Sequence, residues 1–296
     1  MSIFISISKR ITSVIAICMI APIYSLAFTI NLDSATGNYM ITYQSEMLGR
    51  EVQAVFEPPT KIKPAVTPDI RFDGKFIYSY SLINASSARQ DLVVFRLPIV
   101  STPTVVQNPS GWTSLGPTPV NRIITWVSED DTIKPDSQLS GFSIQTSELP
   151  GIVALKFEGL ADPLAYPDEP PADVGYAGLA LKREDRNSFV TLFSVGPSTF
   201  VYSDPGLAID RLVAFKHESV SRGWIFGPGS EGIVKSLDAK LDAAKAAVAR
   251  GQNSAAKNQL NSFINELTAQ RNKKLNDTAF LLLKTNAEFI IGKLGP

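Results

Sequence analysis

Apolar and polar residues alternate almost one for one along the first two thirds of the chain, whereas from residue 204 the apolar positions recur at steps of three and four. The first period is that of half-buried strands and the second that of amphipathic helices. Phe76-Ile77-Tyr78-Ser79-Tyr80-Ser81-Leu82 alternates large with small residues, and Asn84 to Ser87 form a polar turn after it. Asp91 to Leu97 reads as a second strand, stopped at Pro98. Arg122 to Val127, around Trp126, is a third, Ser140 to Thr146 a fourth and Gly151 to Phe157 a shorter fifth. Tyr39 to Tyr43 and Glu51 to Phe56 are candidates before these, and Phe189 to Val195 is one after. Seven or eight short strands punctuated by Pro and Gly predict an antiparallel β-sandwich of immunoglobulin-like architecture over residues 28–200.

Asp204-Pro205 places a capping acid before a proline at the first helical position. The helix predicted there, over 205–222, carries Ile209, Leu212, Val213, Lys216 and Val220 on one face, with Gly223 past its end. A second, over 231–250, buries Ile233, Leu237, Leu241, Ala244 and Val248 and stops at Gly251. A third, over 254–271, carries Ala256, Leu260, Phe263, Ile264 and Leu267. The fourth, over 277–292 and capped by Asn276 or Asp277, carries Phe280, Leu283, Ala287, Ile290 and Ile291. Each stripe is narrow and each opposite face polar, so the four helices of residues 204–293 must pack on one another. Strands first and helices afterwards make the chain a segregated α+β protein.

The N-terminal segment changes the compartment expected for this fold. Lys9 and Arg10 precede an apolar run from Ile11 to Leu26, and Ser25-Leu26-Ala27 offers a small-x-small cleavage site, so residues 1–27 read as a secretory signal. The run of about 16 residues falls short of the roughly 20 that span a bilayer. An uncleaved N-terminal anchor is the alternative. The only cysteine, Cys18, lies inside this segment. The exported chain is therefore cysteine-free and depends on packing rather than disulfides. Of 28 basic and 28 acidic residues, cleavage removes Lys9 and Arg10 and leaves 26 against 28, with no basic block of the kind nucleic acid requires. Leu160 to Ala172 holds four prolines and three carboxylates and reads as an extended linker. Asp162, Asp168, Glu169 and Asp173 lack the glycine and spacing of a calcium-binding loop.

Three local motifs resemble a sandwich module common in exported bacterial proteins. They are Tyr78-Ser79-Tyr80-Ser81-Leu82-Ile83-Asn84, Pro109-Ser110-Gly111-Trp112, and Pro135 leading to Gly141-Phe142. Such modules bind or space, so the likeness implies that kind of role and no particular ligand. Further on, Leu237-Asp238-Ala239-Lys240-Leu241, Arg250-Gly251, Ala255 to Leu260 and Phe263 to Leu267 resemble the FIMAH-type helical hairpin. Leu281 to Ile291, with Asn286-Ala287-Glu288, is similar to its closing helix, while Asn272 stands where a Gly is more usual after Arg271. The resemblance implies an accessory domain of secreted proteins, with no catalytic residues to carry over.

Few catalytic chemistries fit what is left. His217 is the only histidine, which excludes two-histidine metal sites and HExxH zinc chemistry. No GxSxG elbow presents a serine, and no P-loop is present. Carboxylate-pair chemistry stays open, because two acids meet only in the fold. Glu129-Asp130-Asp131, beside Trp112, is the best acidic cluster and reads either as a sugar or calcium site or as a polar hairpin turn. Asn258, Asn261 and Asn265 line one helix face, either to bind a glycan or partner or to satisfy backbone groups of the neighbouring turn.

The expectation is an exported, non-catalytic binding or structural module, extracellular or periplasmic, with a protein or glycan partner at the cell surface and no cofactor. The alternative is a secreted carbohydrate-binding protein or carbohydrate-active enzyme that uses loop carboxylates and tryptophans, with calcium as the candidate ion. Buried Trp112 and Trp126 favour the first; an exposed tryptophan beside paired carboxylates favours the second.

Overall fold

A computed structural model describes residues 29–45, 48–117, 122–160, 163–165 and 189–295. The signal segment and most of Leu160–Ala172, with Asp162, Asp168, Glu169 and Asp173, lie outside the described residues.

Two antiparallel sheets enclose the β core. One has the order β4 (Pro64–Asp73), β5 (Lys75–Asn84), β10 (Ser137–Thr146), β7 (Val105–Gln107). The other runs β13 (Val190–Pro197), β11 (Pro150–Gly159), β6 (Leu92–Pro98), β9 (Ile123–Ser128), β8 (Trp112–Leu115). Alternation along β5 turns Phe76, Tyr78, Tyr80 and Leu82 inward. Opposite them, the Phe95 ring lies stacked between Trp126 at 5.0 Å and Phe157 at 5.3 Å, and meets the edges of Tyr80 and Phe142 from the other sheet. The Tyr80 hydroxyl crosses the core to donate to the Val195 carbonyl at 3.0 Å. Buried Asn84 ends β5 by donating to the carbonyls of Gln90 (2.9 Å) and Ile133 (3.0 Å) and accepting from the Lys63 N–H (3.1 Å). One side chain thereby fastens three connections at that end of the sandwich.

Two expectations about the strands change. Tyr39–Tyr43 and Glu51–Phe56 are strands, but they belong to a third sheet rather than to the sandwich. Its order is β1 (Thr29–Leu32), β2 (Tyr39–Ser45), β3 (Arg50–Phe56), β12 (Pro163–Ala165), with a separate cluster of Ile41, Tyr43, Val52, Ala54 and Phe56. Pro163–Ala165, expected within a linker, is thus an edge strand against Val55 and Phe56. Strand β4 has no counterpart in the sequence reading. It contains Pro64 and Pro68, and it occupies the edge of its sheet, where a strand tolerates a missing donor.

The helices are α1 (Pro205–Ser221), α2 (Ser230–Ala249), α3 (Asn253–Gln270) and α4 (Asp277–Lys293), each within a residue of its predicted span. Asp204 caps α1 by accepting the Leu207 N–H at 2.9 Å, and Asn276 caps α4 by accepting the Ala279 N–H at the same distance. Asn272 takes φ 60°, the left-handed geometry that a glycine would otherwise supply. The helices pack as a ring in which α1 touches α2 and α4, and α3 touches α2 and α4.

Helix α4 also touches β4, β11 and β13. Because β4 and β13 are outer strands of opposite sheets, α4 covers an open seam of the sandwich. Phe289 on α4 packs 5.9 Å from Phe76, 6.4 Å from Phe72 and 5.7 Å from Tyr202. Buried Asn286 donates to the Pro150 carbonyl at 3.0 Å and to Leu282 of its own helix at 2.8 Å. The sandwich and the helices consequently share one continuous hydrophobic core.

Candidate functional site

The acidic cluster forms where the β9–β10 connection folds over the turn before β8. Gly111 stands at φ 70°, and its carbonyl accepts from the N–H groups of Glu129 (2.8 Å) and Asp130 (3.4 Å). A Cβ at Gly111 would lie 2.7 Å from the Asp131 Cβ, so only glycine fits under that side chain. The Thr113 hydroxyl donates to the Glu129 carboxylate. Trp112 is 4% exposed; its indole N–H donates to the Asp131 carbonyl at 2.6 Å and its ring meets Phe142 edge-on at 5.0 Å. Glu129, Asp130 and Asp131 are exposed, yet the tryptophan beside them points into the core. Trp126 is fully buried and donates to the Gln107 carbonyl and the Asn108 side chain. Trp224 is also buried. A ring that stacks on sugar must offer a face to solvent, and none of the three does. Among the described residues no group of three or more His, Cys, Asp or Glu side chains is placed to hold a metal ion.

Asn258, Asn261 and Asn265 are brought together on the outer face of α3, all exposed. Their side chains make no hydrogen bond within the described chain, so the alternative in which they satisfy a neighbouring turn is not the one adopted. Ser254, Ala255, Ser262, Thr268 and Ala269 complete this face, which carries no charge over about four turns of helix.

The sequence reading places Lys216 on the buried side of α1 but gives it no partner. Lys216 is 0% exposed, the only buried lysine or arginine among the described residues, and its ammonium is bonded to the Asp238 carboxylate of α2. Burial pulls the ammonium down to about pKa 8, and the Asp242 carboxylate draws it partway back. His217 Nε2 lies 3.8 Å from the same Asp238 oxygen. Burial, then the Lys216 charge, lowers its pKa. A lysine at a core position of a helical stripe was the available signal, but its carboxylate lies 22 residues on, in another helix.

Residues 229–292 match the family model of the FIMAH domain. The match takes in α2 and α3 and reaches to the last residue but one of α4, while α1 and the strands lie outside it. No curated protein matches the chain. No helix among the described residues is long and apolar enough to cross a membrane.

Proposed function

We propose that the chain is an exported, non-catalytic binding or structural module that meets a protein or glycan at the cell surface through the outer face of α3. The observation that carries this reading is the contrast between the two candidate surfaces. Trp112, on which a sugar-stacking site at the sandwich end depends, is spent on the core, whereas Asn258, Asn261 and Asn265 are exposed and unbonded. Amide side chains supply both a donor and an acceptor without charge, which suits hydroxyl-rich or peptide-backbone partners. The FIMAH match and the signal-like N-terminus support export. The experiment is a glycan array together with a pull-down from the exported fraction, run with the mature chain and with Asn258→Ala/Asn261→Ala/Asn265→Ala. Saturable binding that the triple variant loses supports the reading. Binding that survives the triple variant and disappears with a chelator moves the site to the acidic turn and revives the calcium-dependent carbohydrate alternative.

A further inference from the structure

We propose that the contact between α1 and α2 is an acid-operated latch, in which protonation of Asp238 strips Lys216 of its counter-charge and frees the outer α2–α3 hairpin from α1. The inference is independent of what α3 binds. Lys216 is wholly enclosed, while Asp238 keeps 31% of its side chain exposed, so protons from solvent reach the carboxylate and not the ammonium. An ammonium left in an apolar seam without its carboxylate is strongly disfavoured, and the seam must then open to hydrate it. His217, 60% exposed and 3.8 Å from the Asp238 oxygen, gains positive charge over the same acid range and adds repulsion toward Lys216.

Of the other charged groups around the seam, Asp242 faces Lys216 from α2, Lys235 stands exposed one turn before Asp238, and Asp210 pairs with Lys245 at 2.5 Å across the same α1–α2 contact. On α1, Glu218 holds Arg222 at 2.6 Å, and Arg211 lies over the Phe215 ring. On α4, Lys284 pairs with Glu288, Asp277 with Arg271, and Lys293 lies over Phe289. On β11, toward which Phe215 of α1 reaches at Gly151, Lys156 lies over Phe189 and Glu158 pairs with Arg96.

The fold supplies a unit that can move. Lys240 of α2 and Glu266 of α3 pair at 2.7 Å, with Ser236 donating to the same carboxylate, so the hairpin holds together by itself. Both of its connections to the inner helices lie at one end and are tied to each other. Phe226 N–H donates to the Lys274 carbonyl at 2.9 Å, and Asn276 N–H to the Trp224 carbonyl at 3.0 Å. That end is the hinge, and the turn at Gly251 is the free tip.

The test is a distance measurement by pulsed electron resonance between spin labels at Leu207→Cys and Gln252→Cys, both exposed, in the full chain carrying Cys18→Ser. From about pH 7 to about pH 3, which spans the ordinary imidazole (about 6.5) and aspartate (about 3.9) values, the wild-type background should gain a longer-distance population. The open fraction grows by up to about tenfold per pH unit for each proton taken up, Asp238 accounting for one and His217 for a second. Lys216→Met should stay closed throughout, and Asp238→Asn should open at a higher pH than the wild-type background. A wild-type distance that does not change over this range overturns the latch. So does a Lys216→Met variant that opens at the same pH as wild type, and that comparison decides the matter even if Asp238→Asn does not fold.

Discussion

Replacing Asn286 with alanine should loosen the helices from the sandwich and lower the stability of both together. Leu149 and Ser198 form a hydrogen-bonded pair, so the next pair, Pro150 with Pro197, is a non-hydrogen-bonded one and the Pro150 carbonyl faces away from β13, on the side where β6 pairs only from Lys156 onward. The Asn286 amide supplies its donor, at 3.0 Å, from a buried position. Without it a buried carbonyl is left unsatisfied, at a cost of about 1–3 kcal/mol. Alanine is the better helix former by about 0.6 kcal/mol, which leaves a net loss of roughly 0.5–2.5 kcal/mol. Asn261→Ala is the internal control, since it makes the same chemical change at an exposed position and should gain a few tenths of a kcal/mol. Urea unfolding followed by helical circular dichroism and, in a Trp224→Phe background, by fluorescence of Trp112 and Trp126 should give one coincident transition, with unchanged slope and a lower midpoint for Asn286→Ala only. If Asn286→Ala proves as stable as Asn261→Ala, the link carries no weight. Helical and tryptophan signals that separate in wild type would refute the single core.

Gly111→Ala should cost about 2–4 kcal/mol. It pays roughly 1–2 for the left-handed backbone and more for the collision with Asp131, read as a lower unfolding midpoint with the strands still formed. Trp126→Ala should cost about 3–5 kcal/mol while leaving any affinity mediated by α3 unchanged per folded molecule, as measured by titration of the folded fraction. Stability should rise from about pH 7.5 to about pH 9.5 in thermal melts. The native Lys216 releases its proton near pH 8 and the unfolded chain only near 10.4, so within this window the unfolded state binds more protons. Lys216→Met should abolish that rise. Tyr78 and Tyr80, whose hydroxyls burial pushes upward, oppose the rise only above the ordinary tyrosine value of about 10.

The helices were legible because their signals are local. Asp204-Pro205, Gly223, Gly251 and Asn276 punctuate a clean period, and the structure uses all four as the period requires. The central strands β5, β6, β9, β10 and β11 were legible by alternation for the same reason. What escaped was set by distant partners. Strand β4 is hidden by Pro64 and Pro68, harmless at an edge, and the third sheet is separated from the sandwich by pairing that no window of sequence contains. Around the candidate sites, alternation marked the strand that carries Trp126, but nothing local showed that the Trp112 indole would be claimed by the Asp131 carbonyl. Lys216 was correctly placed on a buried face, and the carboxylate that makes this tolerable was out of range.

The closing helix α4 serves two hosts at once, with one side in the helical ring and the other on β4, β11 and β13. The stretch that matches the family model is thereby joined to the strands ahead of it through Asn286 and Phe289. Those positions and their counterparts Pro150, Phe72, Phe76 and Tyr202 form a docking code split between the domain and the chain ahead of it. Grafting these 64 residues from another protein onto this sandwich would transplant the helices but not the seal, unless the code is carried across with them.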